Sequence, residues 1–237
     1  MNISKGEAME QETKKRVVTG KSSTDLVFSA YVRNNEELFP LILALYVPAG
    51  AEIADVTYGK GVFWKNVNLT DYNLHFSDIK TGIDCRNLPY ETASMDCVVI
   101  DPPYMEGFYR RSSRHLAGNG SYSSFREAYS DGSIYKQTED APKYHAAVLD
   151  MYFSAGREAI RVLKNNGILI VKCQDEVSAN RQHFTHVEII NEYTKHGLIA
   201  EDLFVMVRNN RPNISTLKRQ VHARKNHSYF LVFRKTG

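Results

Sequence analysis

Cysteine is scarce in this chain, with only Cys85, Cys97 and Cys173 among 237 residues. No two of them form a C-x-x-C pair, which argues against a zinc site, and no metal is expected. A scattered, odd set fits free thiols in a reducing cytosol, so the expected location is cytoplasmic. No run of about 18 apolar residues occurs, so no membrane helix is expected. The opening residues, MNISKGEAMEQETKKR, mix both signs of charge and lack the apolar stretch of a secretory signal. Neither sign of charge dominates. The formal net charge of +3 permits contact with a polyanion without demanding it. No internal repeat is visible, which excludes a solenoid.

What remains is ordinary globular material: 43% hydrophobic residues can build the core of one large α/β domain. Residues 1–25 are polar and aperiodic and read as a flexible segment, leaving 26–237 as a single domain. Leu38, Leu41, Ile42 and Leu45 recur at helical spacing over 35–46, and Pro48-Ala49-Gly50 stops that helix. Glu52 to Val56 reads as a short buried strand, and Tyr72 to Phe76 as a second. Asp96 to Ile100 (DCVVI) is a continuous apolar run, as in a parallel strand covered on both faces. A helix is expected from Lys143 to Leu163, capped by Asn165-Asn166-Gly167, followed by a strand at Ile168–Lys172. Phe184 to His196 reads as a helix, closed by Gly197. Strands are expected at Asp202–Val207 and Ser228–Arg234, with a basic loop rather than a helix between them. Strands alternating with helices imply a doubly wound, mostly parallel sheet, with an antiparallel strand at its edge. Residues 105–141 show no periodicity and form an inserted loop too long to be a mere connection.

Three constellations could carry chemistry. Asp55-Val56-Thr57-Tyr58-Gly59-Lys60-Gly61 is a D-x-x-x-G-x-G turn directly after a strand, where glycines let a ligand approach the backbone. A tight strand-to-helix turn would look the same. Asp78 lies past the second strand, where a carboxylate can hold ribose hydroxyls, and Asp84 follows in GIDCRNLP. Either acid alone could be a solvated surface residue. The third, Asp101-Pro102-Pro103-Tyr104, stands at the C-terminal end of a buried strand, where α/β sheets place their ligands. The Asp101 carboxylate and the Pro102 carbonyl can accept from one NH₂ group and aim its lone pair. Pro102 and Pro103 stiffen the loop and bring no competing N–H. Tyr104 offers a ring on which a planar base can stack.

On these residues the chain resembles the S-adenosylmethionine-dependent amino-methyltransferases of DNA, which modify adenine N6 or cytosine N4. D-P-P-Y after an apolar strand, preceded by D-x-x-x-G-x-G, is the core of the likeness. VFSAY (27–31), GIDCRNLPYETASMDCVVIDPPY (82–104), REAIRVLKNNGILIVK (157–172) and KNHSYFLVFRK (225–235) extend it to most of the chain. The resemblance implies a Rossmann-like class I methyltransferase fold and S-adenosyl-L-methionine as cofactor. It implies that Asp55, Thr57, Gly59 and Gly61 cradle the methionine part. By the same likeness Phe28 contacts the cofactor, Asp78 holds the ribose, and Asp84 faces the adenine. Asp101, Pro102, Pro103 and Tyr104 would be catalytic. The family's first motif commonly reads D-P-F. Here Asp55-Val56-Thr57 stands in its place and leaves Phe63 or Trp64 to supply the aromatic contact.

The expected partner is DNA, with RNA as the alternative substrate, since D-P-P-Y-like loops also serve adenine N6 and guanine N2 in RNA. A non-catalytic nucleic-acid-binding subunit would keep the fold. D-P-P-Y leans toward adenine, because the cytosine enzymes more often resemble S-P-P-Y. Restriction-modification, phage self-protection and regulation stay open, as does a homodimer or a partner subunit. Arg110, Arg111 and Arg114 follow the catalytic loop. Arg208, Arg211, Lys218 and Arg219 lie in a segment, 208–225, free of Asp and Glu. These are the candidates for holding phosphates. Tyr122, Phe125, Tyr129 and Tyr135 of the insertion could contact bases or pack on the loop itself. His183 and His186 read as surface histidines.

Overall fold

The computed structural model describes residues 26–105, 142–208 and 219–237. The strands are β1 (Ala30–Tyr31), β2 (Glu52–Asp55), β3 (Asn73–Phe76), β4 (Met95–Ile100), β5 (Leu163–Cys173), β6 (Glu176–Ser178), β7 (Arg181–His183), β8 (Leu198–Val207) and β9 (His227–Lys235). The helices are α1 (Asn35–Tyr46), α2 (His145–Val162) and α3 (Thr185–Lys195), with short 3-10 turns at Val62–Trp64, Leu69–Asp71 and Ile79–Thr81. Seven strands form one sheet in the order β1-β8-β9-β5-β4-β2-β3, and β6 pairs with β7 as a hairpin. Every pairing in the large sheet is parallel except those of β9, which runs antiparallel to both β5 and β8.

Alternation along the strands divides the core between the two faces. Ile53, Cys97, Val99, Ile170 and Val232 point to the face covered by Leu38, Phe39, Ile42 and Leu43 of α1. Ala54, Val98, Ile100, Leu169 and Val171 point to the face covered by Val148, Met151 and Ala155 of α2 and by Ile189 and Tyr193 of α3. Burying each such Leu, Ile or Phe contributes about 1.5–3 kcal/mol. The doubly wound sheet is thus the solution for strands that are apolar on both faces. It also explains the position of the antiparallel strand. Phe230 and Val232 fill one core while Leu231 and Phe233 fill the other. β9 therefore inserts between β8 and β5, inward of the sheet's rim.

Several boundaries differ from the sequence expectation. The Asn165-Asn166-Gly167 signal does not cap α2, because the helix ends at Val162 and β5 begins at Leu163. It marks a kink inside β5, with Asn166 at φ +65° and the β4–β5 register shifting between Met95 and Cys97. VFSAY contains a two-residue edge strand, β1, paired with β8. The β6–β7 hairpin has no strong apolar alternation and was not expected. Pro40 sits inside α1, where it cannot donate to the Glu36 carbonyl. That carbonyl instead accepts from Asn66 Nδ2 at 2.9 Å, and Lys65 Nζ pairs with Glu36 at 2.8 Å. The proline thus ties α1 to the loop behind the glycine turn.

Candidate active site

After β2 the chain moves outward to β3, then returns to place β4 on the other side of β2. The carboxyl ends of β2 and β4 therefore flank a topological switch point, where an open α/β sheet leaves a crevice. A cleft of about 300 Å³ lies there. Its lining includes Asp55, Thr57, Gly59, Asp78, Asp101, Pro102, Pro103, Tyr104 and Arg208, so all four residues of the D-P-P-Y loop meet the glycine turn.

Asp55 ends β2 with its carboxylate buried. Oδ2 accepts from Trp64 Nε1 at 2.6 Å and Oδ1 from the Thr57 N–H at 3.1 Å. Burial pushes its pKa up to about 7, with the two hydrogen bonds opposing and the charges of Asp101 and Asp78 adding to the rise. Trp64 is thus spent on Asp55 and the core, while Phe63 lines the cleft. The Thr57 hydroxyl accepts from the Asp101 N–H at 2.6 Å, which fixes the D-P-P-Y loop to the glycine turn. Gly59 and Gly61 adopt φ of +55° and +64°, a left-handed conformation natural to glycine. A Cβ on Gly61 would collide with the Tyr58 phenol, whose ring stacks on Phe76 at 4.2 Å. Asp78 caps the 3-10 turn Ile79–Thr81 by accepting from the Lys80 N–H, and its other oxygen accepts from the Gly59 N–H at 3.1 Å.

Asp101 follows β4 directly. Its Oδ1 accepts from the Tyr104 hydroxyl at 2.7 Å, and Oδ2 has no protein hydrogen bond among the described residues. Burial pushes the Asp101 carboxyl upward, while the Tyr104 bond and the charges of Lys172 and Arg208 pull it back. Tyr104 is itself buried, so its hydroxyl braces the carboxylate in addition to any stacking its ring provides. Lys172 is fully buried, with Nζ 3.7 Å from the centroid of the Phe230 ring and 3.9 Å from Met206 Sδ. Burial depresses the Lys172 ammonium, and Asp101 works against that depression. A lysine closing the apolar run ILIVK is the sequence signal for this group.

Other expected residues fall elsewhere. Phe28 is 64% exposed and does not line the cleft. Asp84 is buried but outside the lining, with its carboxylate bound by Arg86 Nε and Nη2, the closest contact being 2.6 Å. Arg208 lines the cleft, whereas Arg219 is exposed and does not. Arg110, Arg111, Arg114, Arg211, Lys218 and nearly all of the 105–141 insertion lie outside the described residues. Asn35, Tyr58, Lys60 and Lys80 line the cleft and were not expected. Tyr58 and Lys60 could have been found from their places on either side of Gly59 in the glycine turn. His183 and His186 are half-buried rather than surface residues, one on β7 and the other on α3. His186 Nδ1 lies 2.6 Å from Asp175.

A family model described as DNA methylase, covering the N6 and N4 methyltransferases, matches residues 95–237. The chain belongs to this family. No curated protein matches it. Among solved structures it is similar to a candidate DNA modification methylase of Thermus thermophilus complexed with S-adenosyl-L-methionine, at 19% identity, 65% of this chain, 51% of that chain and TM-score 0.38. It is also similar to TrmN from Thermus thermophilus, at 13% identity, 84% and 48% coverage and TM-score 0.46. A third is a TehB-like S-adenosylmethionine-dependent methyltransferase from Corynebacterium glutamicum, at 13% identity, 84% and 87% coverage and TM-score 0.44. The chain spans about half the length of the first two. Among the described residues no helix is long and apolar enough to cross a membrane, and all three cysteines are buried.

Proposed function

We propose that the chain transfers a methyl group from S-adenosyl-L-methionine to the exocyclic amino group of a base in DNA, with adenine N6 as the acceptor. The observation that carries this reading is the meeting of Asp101 and Pro102 with the Gly59–Gly61 turn across one cleft at the switch point. The residues fit the cofactor. Its ammonium and sulfonium are cationic, and Asp55, Asp78 and Asp101 all border the cleft. Among the described residues Asn35 Oδ1 is buried without a hydrogen-bond partner, and it belongs to a cleft-lining residue. When bound, the cofactor supplies an electrophilic methyl group.

The chain's own groups supply position and polarity. The Asp101 Oδ2 and the Pro102 carbonyl accept the two N–H groups of the amine and direct its lone pair into the cleft. Tyr104 holds the other Asp101 oxygen, so the carboxylate cannot rotate away. These dipoles are preset for the positive charge that develops on nitrogen. The target base must leave its duplex to reach the pocket, and Arg208 at the rim can neutralise a phosphate. The preference for adenine rests on the D-P-P-Y form of the loop.

The test is transfer of tritiated methyl from S-adenosylmethionine to unmethylated duplex DNA, with total RNA in parallel and nucleoside mass spectrometry as readout. N6-methyladenine in DNA is the expected product. N4-methylcytosine would overturn the adenine assignment. Label confined to RNA would overturn the DNA assignment. No label in either, with the cofactor bound, would overturn the catalytic reading.

A further inference from the structure

A second cluster of polar side chains lies beyond the end of β5, where Glu176 opens β6. His145, the first residue of α2, is buried between two carboxylates. Its Nδ1 is 2.7 Å from Glu176 Oε1, and its Nε2 is 2.5 Å from Glu188 Oε2 on the first turn of α3. The His183 ring stacks on the His145 ring with centroids 3.9 Å apart. Donor atoms of His145, His183 and Glu188 all lie within 4.8 Å of one another.

The backbone is shaped to bring these groups together. Tyr144, immediately before His145, has φ +57°, a strained setting for a bulky residue of the kind that persists where the surroundings enforce it. Ala179 and Asn180 both have positive φ and make the tight turn that returns β7 to β6. Glu176 and His183 are thereby direct cross-strand partners. Charge points the same way. Two carboxylates face one imidazole, so even a protonated His145 leaves one negative charge in excess. A divalent cation held by neutral His145, neutral His183 and the Glu188 carboxylate, with the Glu176 carboxylate behind, balances to zero.

We propose that His145, His183 and Glu188 bind a divalent transition-metal ion, zinc by the chemistry of the donors, and that Glu176 orients His145 through Nδ1. Two imidazoles and one carboxylate suit zinc, whereas magnesium and calcium select oxygen donors. A carboxylate on the outer nitrogen of a ligating histidine is the usual support for such a site. Zinc bonds to nitrogen and oxygen are about 2.0–2.2 Å long, so the His145–Glu188 contact needs only a small opening to admit the ion. The ion would clip the start of α2 to the β6–β7 hairpin and α3. In sequence this is where the 105–141 insertion rejoins the fold. The proposal does not depend on the methyl-transfer reading.

The experiment strips the full-length chain with a chelator and titrates zinc against a chromogenic competitor, with cobalt(II) absorption as an independent readout and circular dichroism to verify folding. One ion per chain is expected. His183→Ala and Glu188→Gln should each weaken binding by at least about tenfold, and Glu176→Gln by about 10–100-fold with stoichiometry kept. His196→Ala, at the exposed end of α3 and paired with Glu192, should leave binding unchanged. Should His183→Ala fail to fold, Glu188→Gln and Glu176→Gln carry the test. Failure of the folded native chain to bind zinc, or binding by the folded Glu188→Gln variant as tight as native, overturns the proposal.

Discussion

Asp101 has to be ionised and only half-engaged if it is to receive an amine, and opposed forces on one side chain decide that state. Burial raises its pKa, while the Tyr104 hydroxyl, Lys172 and Arg208 lower it. Removing the carboxylate by Asp101→Ala should reduce methyl transfer at least about 100-fold, the scale of losing a preset electrostatic group. Cofactor affinity by calorimetry should change little, because Asp55 and Asp78 remain. Equal activity in Asp101→Ala would discard the mechanism. Tyr104→Phe keeps the ring and deletes the hydrogen bond. That bond lowers the Asp101 pKa, so its loss raises it. A protonated carboxyl accepts poorly, so the acid limb of the kcat/KM profile should move to higher pH in Tyr104→Phe. At neutral pH kcat/KM should fall about tenfold, the equivalent of one hydrogen bond to a charged group. An unmoved acid limb would detach Tyr104 from Asp101.

At the scale of elements, the site stands on turns and packed helices that tolerate little. Gly61→Ala keeps the chain foldable but puts a Cβ into the Tyr58 phenol at φ +64°. Cofactor affinity should weaken at least about tenfold, while stability falls by about 1–2 kcal/mol for the left-handed residue. Calorimetry and urea midpoints would separate the two. α2 and α3 meet where Gly156 faces Tyr193, and a Cβ there would overlap the phenol end of that ring. The ring cannot retreat, since it is buried, lies 5.2 Å from the Phe233 ring and donates its hydroxyl to the Tyr152 carbonyl at 2.6 Å. Gly156→Ala should therefore cost about 1–3 kcal/mol of overpacking, despite a helix-propensity gain of up to about 1 kcal/mol. A raised urea midpoint would show that α3 can shift. These elements were legible where one face repeats, as in α1, or where a run is wholly apolar, as in Cys97–Ile100. They were not legible where long-range pairing decides. β1 has two residues and exists only because β8 offers an edge. The Asn165-Asn166-Gly167 signal suggests a helix cap, but the segment lies inside β5, whose pairing with β4 and β9 decides its place.

Across the whole molecule the sheet gathers distant motifs at the carboxyl ends of its strands, and that explains which site residues could be read from sequence. Asp55, Gly59, Gly61 and Asp101 announce themselves by local spacing next to a strand. Lys172 and Lys80 reach the same region through the order β5-β4-β2-β3, and Asn35 through the packing of α1 on the sheet, which no local pattern encodes. The histidine cluster is more hidden still, since His145, Glu176, His183 and Glu188 come from four elements. The net charge is only +3, so any grip on nucleic acid has to come from where the cations lie rather than how many there are. Arg208 is the exposed cation that both borders the cleft and opens the acid-free segment 208–225. If it neutralises one phosphate, Arg208→Ala should weaken duplex binding to a similar degree for every sequence and reduce the slope of log K against log salt by about 0.9. Fluorescence anisotropy over a salt series measures both. An unchanged slope with lost turnover would instead assign Arg208 to the chemistry, through its pull on Asp101, and move the phosphate grip to other cations of the chain.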